Sequence, residues 1–436
     1  MGKWKNVRIG EFLTERQGRY KPDDNAIVTY KRLDKIDFSG TIHISEKPSK
    51  TDMIIVQPGD LVISGTNVAK GAIAVYQGVE PVIATIHYSS YIFDDSVVDL
   101  EYFKYFVKSP AFIETLKKQA KGGIKTEIKS KVFLPLEISL PDLPTQKQIV
   151  KRISVNLKRV NELAKEIETQ KEYAKQLRRN ILQDAIEGKL TADWRKEHPV
   201  QKGNPDYDAE ALFELIQKER KVDKKRKALL PILDAEKPFE LPTGWKWVRL
   251  GEIAEGFMYG TSAKSSPFGT CPVLRMGNIQ DGMIDWEKLV YSNNEEEISK
   301  YALRKFDLLF NRTNSREIVG KTAIYESDKQ AIYAGYLVKF RIILSNPYFI
   351  NYVLNSPMHR EWCNAMKTDA LGQSNINAEK LKKFVLALPP LAEQQKIVDI
   401  VSAGLDNIWE LKKQISLREE YTNQLMRSIL KENFNI

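Results

Sequence analysis

The chain of 436 residues is too long for one ordinary hydrophobic core, and its 42% hydrophobic and 28% charged residues are typical of a folded protein of two or more domains. No apolar run approaches the roughly 18 residues of a membrane span, and two cysteines and four histidines show no ligand spacing, which excludes membrane, metal and disulfide scaffolds. A net charge of +10 favours a polyanionic partner, and the lack of a signal-peptide pattern predicts a cytoplasmic protein.

Residues 1–145 are predicted to form a mixed α+β domain. Short apolar runs rich in β-branched residues alternate with turn signals such as Gln57-Pro58-Gly59, and two helical patterns meet at Pro110. The predicted strands and helices cover residues 53–56, 60–63, 72–76, 100–107 and 111–119.

Residues 146–190 are predicted to form one long helix. The apolar residues recur at steps of three, four or seven, which is typical of a helix with a single apolar stripe. The stripe consists of Ile149, Ile153, Leu157, Val160, Leu163, Ile167, Ala174, Leu177 and Ile181. A helix of about 40 residues is roughly 60 Å long at 1.5 Å per residue, so one domain cannot cover it and the stripe requires a further partner.

Residues 191–242 are predicted to be a linker that contains one charged helix. Proline and glycine punctuate this segment, and Ala211, Leu212, Leu215 and Ile216 have helical spacing. A basic run over residues 218–227 is either a phosphate contact or a solvated charged face.

The second half of the chain repeats the first. Residues 4–11, WKNVRIGE, recur as WKWVRLGE at residues 245–252, and further matched segments keep the same order. These matches define a second domain at residues 243–391 and a second long helix at residues 392–436. At a constant offset of 248, the second stripe consists of Ile397, Val401, Leu405, Ile408, Leu411, Ile415, Thr422, Leu425 and Ile429. Two equivalent stripes predict an intramolecular antiparallel coiled coil between two similar globular domains.

The loops between the matched segments differ. Ser64-Gly65-Thr66-Asn67 corresponds to Asn311-Arg312-Thr313-Asn314, and the residues that follow have little in common. Such divergence arises either from drift at unconstrained surface positions or from two similar domains that recognise different targets.

Motifs for catalysis are weak throughout the sequence. Residues 346–349, Asn-Pro-Tyr-Phe, only approximate the loop of adenine methyltransferases, and a helix N-cap followed by proline explains them better. The carboxylates and lysine of a nuclease are matched only by Asp206, Glu219 and Lys221 in the linker. No phosphate-binding or dinucleotide glycine motif is found, so we expect a non-catalytic protein without cofactor.

The order of these motifs resembles the specificity subunit of type I restriction-modification systems over essentially the whole chain. The similarity rests on the WKxVRLGE segments, on the Asp307-Leu308-Leu309 strand before Arg312-Thr313-Asn314, and on residues 388–398, LPPLAEQQKIV. The first copy departs at residues 145–150, TQKQIV, although Gln146 and Ile149 still match.

This resemblance implies two target recognition domains that each bind one half of a bipartite site in double-stranded DNA, with the paired helices as spacer. It also implies two methyltransferase (modification) subunits, which use S-adenosylmethionine, and motor-nuclease (restriction) subunits as partners. Two alternatives from other classes are a coiled-coil adaptor that does not contact DNA and a single-chain nuclease or methyltransferase with cryptic motifs.

Polar and basic loop residues at matching places are the candidate DNA contacts, because arginine pairs with guanine, asparagine and glutamine pair with adenine, and lysine neutralises phosphate. In the first domain these candidates are Arg16, Arg19, Tyr20, Lys31, Arg32, Thr66, Asn67, Lys70, Lys121 and Lys125. In the second domain they are Lys264, Arg275, Asn278, Arg312, Asn314, Arg316, Gln373 and Asn375. Each of them can equally be an exposed loop residue or a structural hydrogen-bonding group.

Overall fold

The computed structural model describes residues 4–47, 49–119, 128–220, 229–370 and 372–434. The chain forms two compact units, of which one comprises Met1–Gln170 with Gln414–Ile436 and the other Lys171–Lys413. Each unit holds one globular domain and a part of each of two long helices. Within the described residues, no helix is long and apolar enough to cross a membrane.

The first globular domain is mixed α+β, as predicted. Its strands are β1 (Lys5–Arg8), β2 (Leu13–Glu15), β3 (Arg32–Ile36), β4 (Ile42–Ser45), β5 (Met53–Val56), β6 (Leu61–Ser64), β7 (Ile73–Val75), β8 (Val82–Thr85), β9 (Tyr88–Phe93) and β10 (Glu137–Leu140). Its helices are α1 (Leu100–Phe106), α2 (Pro110–Gln119) and α3 (Ser130–Phe133), and the long helix α4 (Leu143–Ile186) follows.

The described residues of this domain form two four-stranded sheets, in the orders β2-β9-β6-β7 and β4-β3-β8-β5. Side chains of β6 point alternately to two cores, because successive residues of a strand face opposite sides of its sheet. Leu61 and Ile63 therefore pack in the core that includes α1 and α2, whereas Val62 packs in a smaller core against the second sheet. Strand β1 pairs with β10, with Lys5 opposite Leu140, and so ties the first strand to the start of α4.

The linker and the second domain continue the chain. They contain α5 (Ala192–Glu197), α6 (Ala209–Glu219), β11 (Lys246–Arg249), α7 (Leu250–Ile253), β12 (Ala254–Tyr259), β13 (Cys271–Leu274), β14 (Ile279–Gln280), β15 (Met283–Ile284), β16 (Val290–Ser292), α8 (Glu295–Lys300), β17 (Leu308–Asn311), β18 (Thr313–Asn314), β19 (Thr322–Ile324), β20 (Ile332–Tyr333), β21 (Leu337–Ile342), α9 (Pro347–Val353), α10 (Pro357–Met366), β22 (Thr368–Ala370), β23 (Gln373–Asn375), α11 (Ala378–Lys382), β24 (Val385–Leu388) and α12 (Leu391–Phe434).

The sheets of the second domain repeat the plan of the first. Strand β11 pairs with β24 as β1 pairs with β10, and the order β12-β21-β17-β19 corresponds to β2-β9-β6-β7. Strand β13 lies between an antiparallel and a parallel neighbour, as β3 does. The second domain also contains a three-stranded sheet in the order β18-β23-β22, and the first-copy positions that correspond to β22 and β23 lie outside the described residues. The repeat deduced from the sequence is therefore a repeat of sheet topology.

A buried glutamine fixes the start of each long helix. Gln146 donates to the carbonyl of Pro141 at 2.8 Å and accepts from the backbone N–H of Asp99 at 2.7 Å. Gln394 makes the equivalent bonds, to Pro389 at 2.8 Å and from Asn346 at 2.7 Å. Both helices begin three residues before these glutamines, earlier than predicted. In the first turn of α4, Pro144 has no N–H to satisfy, and in the first turn of α12 the N–H groups of Leu391 and Ala392 donate to the carbonyls of Pro205 and Asp206.

The two long helices are antiparallel within each unit, which confirms the predicted coiled-coil fold. In the first unit, α12 ends against the domain from which α4 starts, since the ring of Phe434 lies 5.3 Å from that of Tyr102. Further along, Arg418 donates to Gln170 at 3.0 Å. In the second unit, the end of α4 and the start of α12 share the core of the second domain, with Leu182 and Ile397 fully buried.

The predicted apolar stripe is wider than the buried contact between the helices. Residues separated by seven or by twice seven positions are buried, namely Ile153, Val160, Ile167 and Ala174 in α4, and Val401, Ile408, Ile415 and Ile429 in α12. Leu163, Leu177, Leu411 and Leu425 are more than a third exposed. The predicted stripe thus includes four leucines that are only partly buried, because a stripe with steps of three and four covers more of the helix surface than one neighbouring helix buries.

The linker is also more ordered than predicted. It contains the expected helix, α6, and in addition the short helix α5. Leu212 and Ile216 of α6 are fully buried in the core of the second domain. Residues 209–219 therefore belong to the packing of that domain, and residues 221–227 of the basic run lie outside the described residues.

Candidate nucleic-acid interface

In the first domain, the chain leaves the central strand β6 at Gly65. The N–H of Gly65 donates to the carbonyl of His87 at 3.0 Å, and its own carbonyl accepts from the N–H of Ile128 at 2.7 Å. These two bonds hold the loop that carries Thr66, Asn67 and Lys70 against two other segments of the domain.

In the second domain, Arg312 takes the same place after β17. Its N–H donates to the carbonyl of Tyr336 at 2.9 Å, and its carbonyl accepts from the N–H of Ile376 at 2.9 Å. The same pair of backbone bonds makes Gly65 and Arg312 structurally equivalent. The two domains thus present different side chains from one shared backbone position.

Five of the candidate residues of the second domain lie together around this position. The sheet of β18, β23 and β22 pairs Asn314 with Ser374 and Thr313 with Asn375. The candidates in this cluster are Arg312, Asn314, Arg316, Gln373 and Asn375. A small sheet that carries cationic and amide side chains can meet both phosphate oxygens and base edges.

Arg312 stands out in this cluster because an aromatic ring supports it. Its guanidinium carbon lies 4.5 Å from the centre of the Tyr259 ring, and the hydroxyl of Tyr259 accepts from the N–H of Ala378 at 3.1 Å. Its Nε is buried and has no hydrogen-bond partner among the described residues. A cation over an aromatic face is stabilised by about 0.5–1 kcal/mol at an exposed site.

Two other side chains of the cluster have partners on the strands of the same small sheet. Arg316 donates to Asp369 at 2.5 Å and 3.1 Å, and Asn375 donates to the hydroxyl of Thr313 at 2.7 Å. Hydrogen bonds from Ser374 and then Arg316 hold the pKa of Asp369 below its ordinary value. Asp369 is thus ionised at neutral pH and reduces the positive charge that Arg316 presents.

Three other candidates of the second domain are not in this cluster. Lys264 and Arg275 are exposed, and Arg275 donates to the carbonyl of Lys288 at 3.0 Å. Asn278 is buried, and its amide nitrogen donates to the carbonyls of Asp285 at 2.9 Å and Glu287 at 3.0 Å. Its carbonyl accepts from the N–H of Arg275, so the whole carboxamide is used to shape a turn.

A polar cleft of about 160 Å³ lies beside Gly65 in the first domain. Its lining includes Arg16, Arg19, His87, Ser89 and Lys129. The candidates Arg16 and Arg19 are therefore brought to the same place as the loop after β6. Sequence reasoning missed His87, Ser89 and Lys129, although the repeat places Lys129 at an offset of 248 from Asn377, next to the second cluster.

Arg16 has a structural partner. Its guanidinium donates to both oxygens of buried Asp60, at 2.6 Å and 2.8 Å, and this contact raises the pKa of Arg16. In the second domain the corresponding Asp307 accepts instead from Arg341 on β21, at 3.0 Å. The repeat keeps the carboxylate and supplies its arginine from a different strand, so Arg16 is not a free base contact in this structure.

The remaining candidates of the first domain are spread more widely. Arg32 lies on β3 and pairs with Asp34, Lys31 is exposed just before it, and Tyr20 bridges to Met53 through its backbone. Thr66, Asn67 and Lys70 lie in the loop after β6. Lys121 and Lys125 lie outside the described residues.

The string that approximates a methyltransferase loop has a structural role. Asn346 accepts hydrogen bonds from the N–H groups of Tyr348 at 3.0 Å and Phe349 at 3.4 Å, and Pro347 occupies the first turn of α9. The predicted N-cap is confirmed. Asp99 caps α1 in the same way through Tyr102.

Comparison with known proteins agrees with this architecture. The profile of the type I restriction modification DNA specificity domain matches residues 1–172 and 242–418. The chain is 26% identical over 288 residues to the type I restriction enzyme EcoEI specificity subunit of Escherichia coli, which covers 63% of this chain and 48% of the relative. It is also 32% identical to the type I restriction enzyme MjaX specificity subunit of Methanocaldococcus jannaschii. This match extends over 198 residues, which are 44% of this chain and 46% of the relative.

The chain spans about half the length of these curated relatives. A solved chain described in connection with complex assembly and conformational transition of the type I R-M system has a TM-score of 0.63 and 18% identity, with 99% of this chain and 97% of that chain covered. This likeness shows a shared fold. Since the family profile matches both halves of the repeat, the chain belongs to the family of type I restriction modification DNA specificity domains.

Proposed function

We propose that this protein is the DNA sequence-specificity subunit of a type I restriction-modification enzyme. Each globular domain recognises one half of a bipartite site in double-stranded DNA, and the paired helices set the distance between the two halves. The single observation that supports this most strongly is the shared backbone position after β6 and β17, which carries a glycine beside a polar cleft in one domain and a cationic, amide-rich cluster in the other.

The proposed DNA contacts are fewer than the candidates that the sequence alone suggested. In the second domain they are the clustered Arg312, Asn314, Arg316, Gln373 and Asn375, with Lys264 and Arg275 as exposed phosphate contacts. In the first domain they are Arg19, Thr66, Asn67, Lys70, Lys121 and Lys125, with Tyr20, Lys31 and Arg32 as more distant members. Arg16 and Asn278 are left out of the proposed contacts because their side chains are engaged within the protein, Arg16 with Asp60 and Asn278 within its own turn.

We propose residues 1–145 and 243–391 as the target recognition domains, residues 146–190 and 392–436 as the helices, and residues 191–242 as the connecting segment. A sheet that recognises bases needs a fixed orientation on the duplex, and helices that begin at a buried glutamine inside each domain provide a rigid attachment.

The exposed leucines of the helices support docking of two identical partners. Leu163 and Leu411 are 38% and 39% exposed, and Leu177 and Leu425 are each 46% exposed. Arg418 contacts Gln170, and the two helices are antiparallel. Leu163 precedes Gln170 by seven residues and Leu425 follows Arg418 by seven, so these two leucines lie at the same height along the helix pair in the first unit. Leu177 and Leu411 form the matching pair of the second unit.

Two equal apolar patches on a duplicated chain fit two copies of one protein, and we propose that these are methyltransferase subunits. Motor-nuclease subunits complete the enzyme. We further propose that the chain alone has no catalytic activity and binds no cofactor, and that it acts in the cytoplasm, where chromosomal DNA is accessible.

A domain exchange tests the proposal. Residues 1–145 are replaced by those of a homologue with a different target, the chimera is produced with its methyltransferase partner, and methylated motifs are determined by sequencing host DNA. We expect one half of the motif to change while the other half is retained. A change in both halves, or in neither, would contradict the assignment of one half-site to each domain.

A further inference from the structure

We propose that Arg312 recognises a guanine in the half-site bound by the second domain, an inference that rests on the proposed function. Two observations carry it: an aromatic ring supports the guanidinium, and no carboxylate of the described residues pairs with it. Both occur at the strand end whose following loop differs between the two domains.

The ring of Tyr259 determines how Arg312 can be used. The ring covers one face of the guanidinium at 4.5 Å, and the tyrosine is itself held by the hydrogen bond from Ala378. The N–H donors of a guanidinium lie in its plane, so contact through the face leaves the donor edge available. That edge matches the O6 and N7 acceptors of guanine, which a single arginine can bind in a bidentate manner.

Neighbouring arginines are already engaged. Arg316 is paired with Asp369, Arg341 with Asp307, and Arg275 donates to a backbone carbonyl. An arginine that has an acidic partner must break that pair before it can bind a base, which weakens its discrimination. Within the part of the chain that the structure describes, Arg312 has no such ion pair to break. Its Nε is buried, so the two terminal nitrogens of the guanidinium are the donors that would meet a base.

The equivalent position of the first domain carries no side chain beyond hydrogen. Gly65 has the same two backbone bonds as Arg312 and borders the polar cleft. We therefore assign the recognition of this guanine to the second domain alone. The contrast also provides the most informative substitution, Arg312→Gly, which gives the second domain the residue of the first.

The experiment measures base preference rather than activity alone. The full chain with its methyltransferase partner is tested with Arg312→Gly, Arg312→Gln, Arg312→Lys and Tyr259→Leu, and methylated motifs are determined from host DNA. In parallel, purified complexes compete for duplexes that vary one base at a time at fixed salt. The matched control is Lys305→Gln, because Lys305 also lies over an aromatic ring, that of Phe306 at 5.8 Å, but precedes β17 instead of following it.

We expect Arg312→Gly and Arg312→Gln to reduce the preference for guanine at one position of the second half-site about 10- to 100-fold, as for loss of one bidentate base contact. Arg312→Lys should keep part of that preference, and Tyr259→Leu should weaken it without changing the other positions. Lys305→Gln should leave the motif unaltered. Thermal melting of each variant establishes that the fold is retained. If the glycine variant is unstable, Arg312→Lys is used in its place to test the base preference.

Two outcomes would overturn the inference alone. One is a methylated motif in Arg312→Gln that is identical to the bipartite motif of the wild-type complex. The other is an equal loss of affinity for every duplex, which indicates a phosphate contact. A wild-type complex that shows no bipartite motif would instead refute the proposed function itself.

Discussion

At the scale of single residues, two buried glutamines explain why short sequence motifs mark the starts of the long helices. Gln146 and Gln394 each join three parts of a domain: the last strand, the first turn of the long helix, and the N-terminus of α1 or α9. Both are fully buried, so their polar atoms have no access to water. The glutamine is therefore the part of the helix-start motif on which the attachment of the helix depends.

Replacing Gln146 with leucine should destabilise the first unit by about 3 kcal/mol, because the N–H of Asp99 and the carbonyl of Pro141 lose their buried partner. Urea unfolding followed by circular dichroism measures this loss. Gln148→Leu is the matched control, since Gln148 is exposed on the same helical turn. Equal stability of the two variants would show that the glutamine bonds contribute little.

The two copies differ one residue before this glutamine. Glu393 is buried and accepts from the indole N–H of Trp245 at 2.7 Å and from the hydroxyl of Thr191 at 2.6 Å, and it pairs with Arg195. In the first copy this position is Thr145, whose N–H donates to Asp142 at 2.9 Å. The fuller motif of the second copy therefore serves the segment that follows α4, for which Glu393 is the anchor.

His359 gives the second unit a defined dependence on pH. It is buried beside the rings of Phe310, Trp362 and Phe384, and burial, together with the charge of Arg360, lowers its pKa to about 3. The unfolded chain takes up a proton near pH 6.5 while the folded chain does not. Stability therefore falls as the pH decreases from about 6.5 toward 3.

This histidine alone should make the second unit about 2 kcal/mol less stable at pH 5 than at pH 7. Denaturant unfolding at the two pH values measures the difference. In His359→Phe the difference should shrink by that amount, because phenylalanine does not titrate. An unchanged pH dependence in this variant would show that other groups cause it.

At the scale of elements, each long helix has two kinds of apolar residue. In α4, Ile153, Val160 and Ile167 recur at intervals of seven and are almost fully buried, whereas Leu163 is more than a third exposed. An interval of seven keeps side chains on the face of a helix that packs against a second helix. The helices therefore have a buried line that holds them together and a second line of apolar residues that is partly exposed.

A pair of substitutions separates these two roles. Ile167→Asp should destabilise the first unit by at least about 3 kcal/mol, because it places a charge in the buried line. Leu163→Asp should cost about 1 kcal/mol or less in stability, since that side chain is already partly in water, but should weaken binding of the methyltransferase subunit. Thermal unfolding and size-exclusion chromatography with the partner measure the two effects.

The matched design makes the outcome decisive for the helix pairing. Both substitutions introduce an aspartate on α4, at two positions one helical turn apart. Equal losses of stability would mean that the buried line is not the contact between the helices. Normal assembly of Leu163→Asp would remove the exposed leucines from the proposed docking surface.

At the scale of the whole molecule, the proposed function requires that the length of the paired helices sets the gap between the two half-sites. Inserting one heptad after Ile167 and one after Ile415 adds about 10 Å to the helices at 1.5 Å per residue and leaves the buried line in register. We predict that both half-site sequences stay unchanged and that the gap between them grows by about two or three base pairs. Sequencing of methylated host DNA gives the gap directly.

An insertion of four residues at the same two places is the control. It turns each helix about 40° beyond a full turn and moves the buried line off its partner, so methylation should fall. If the heptad insertion leaves both the gap and the methylation unchanged, the proposal that helix length sets the gap between the half-sites is refuted.

Local pattern in the chain was enough to predict a large part of the architecture. The repeat is visible in the order of matched segments. The two long helices, the three strands predicted within residues 53–76 and the cap at Asn346 follow from short-range periodicity and from turn and capping residues. These features need only neighbouring residues, and neighbouring residues are what a single sequence displays.

The packing of distant segments, by contrast, sets which side chains are already engaged. Arg16 is held by Asp60, 44 positions away, whereas Arg312 lies over the ring of Tyr259 and has, among the described residues, no acidic partner. The exposure of Leu163 beside buried Ile167 is likewise set by where the second helix lies. Contacts of this kind form only when the folded chain brings remote residues together, so no local pattern encodes them.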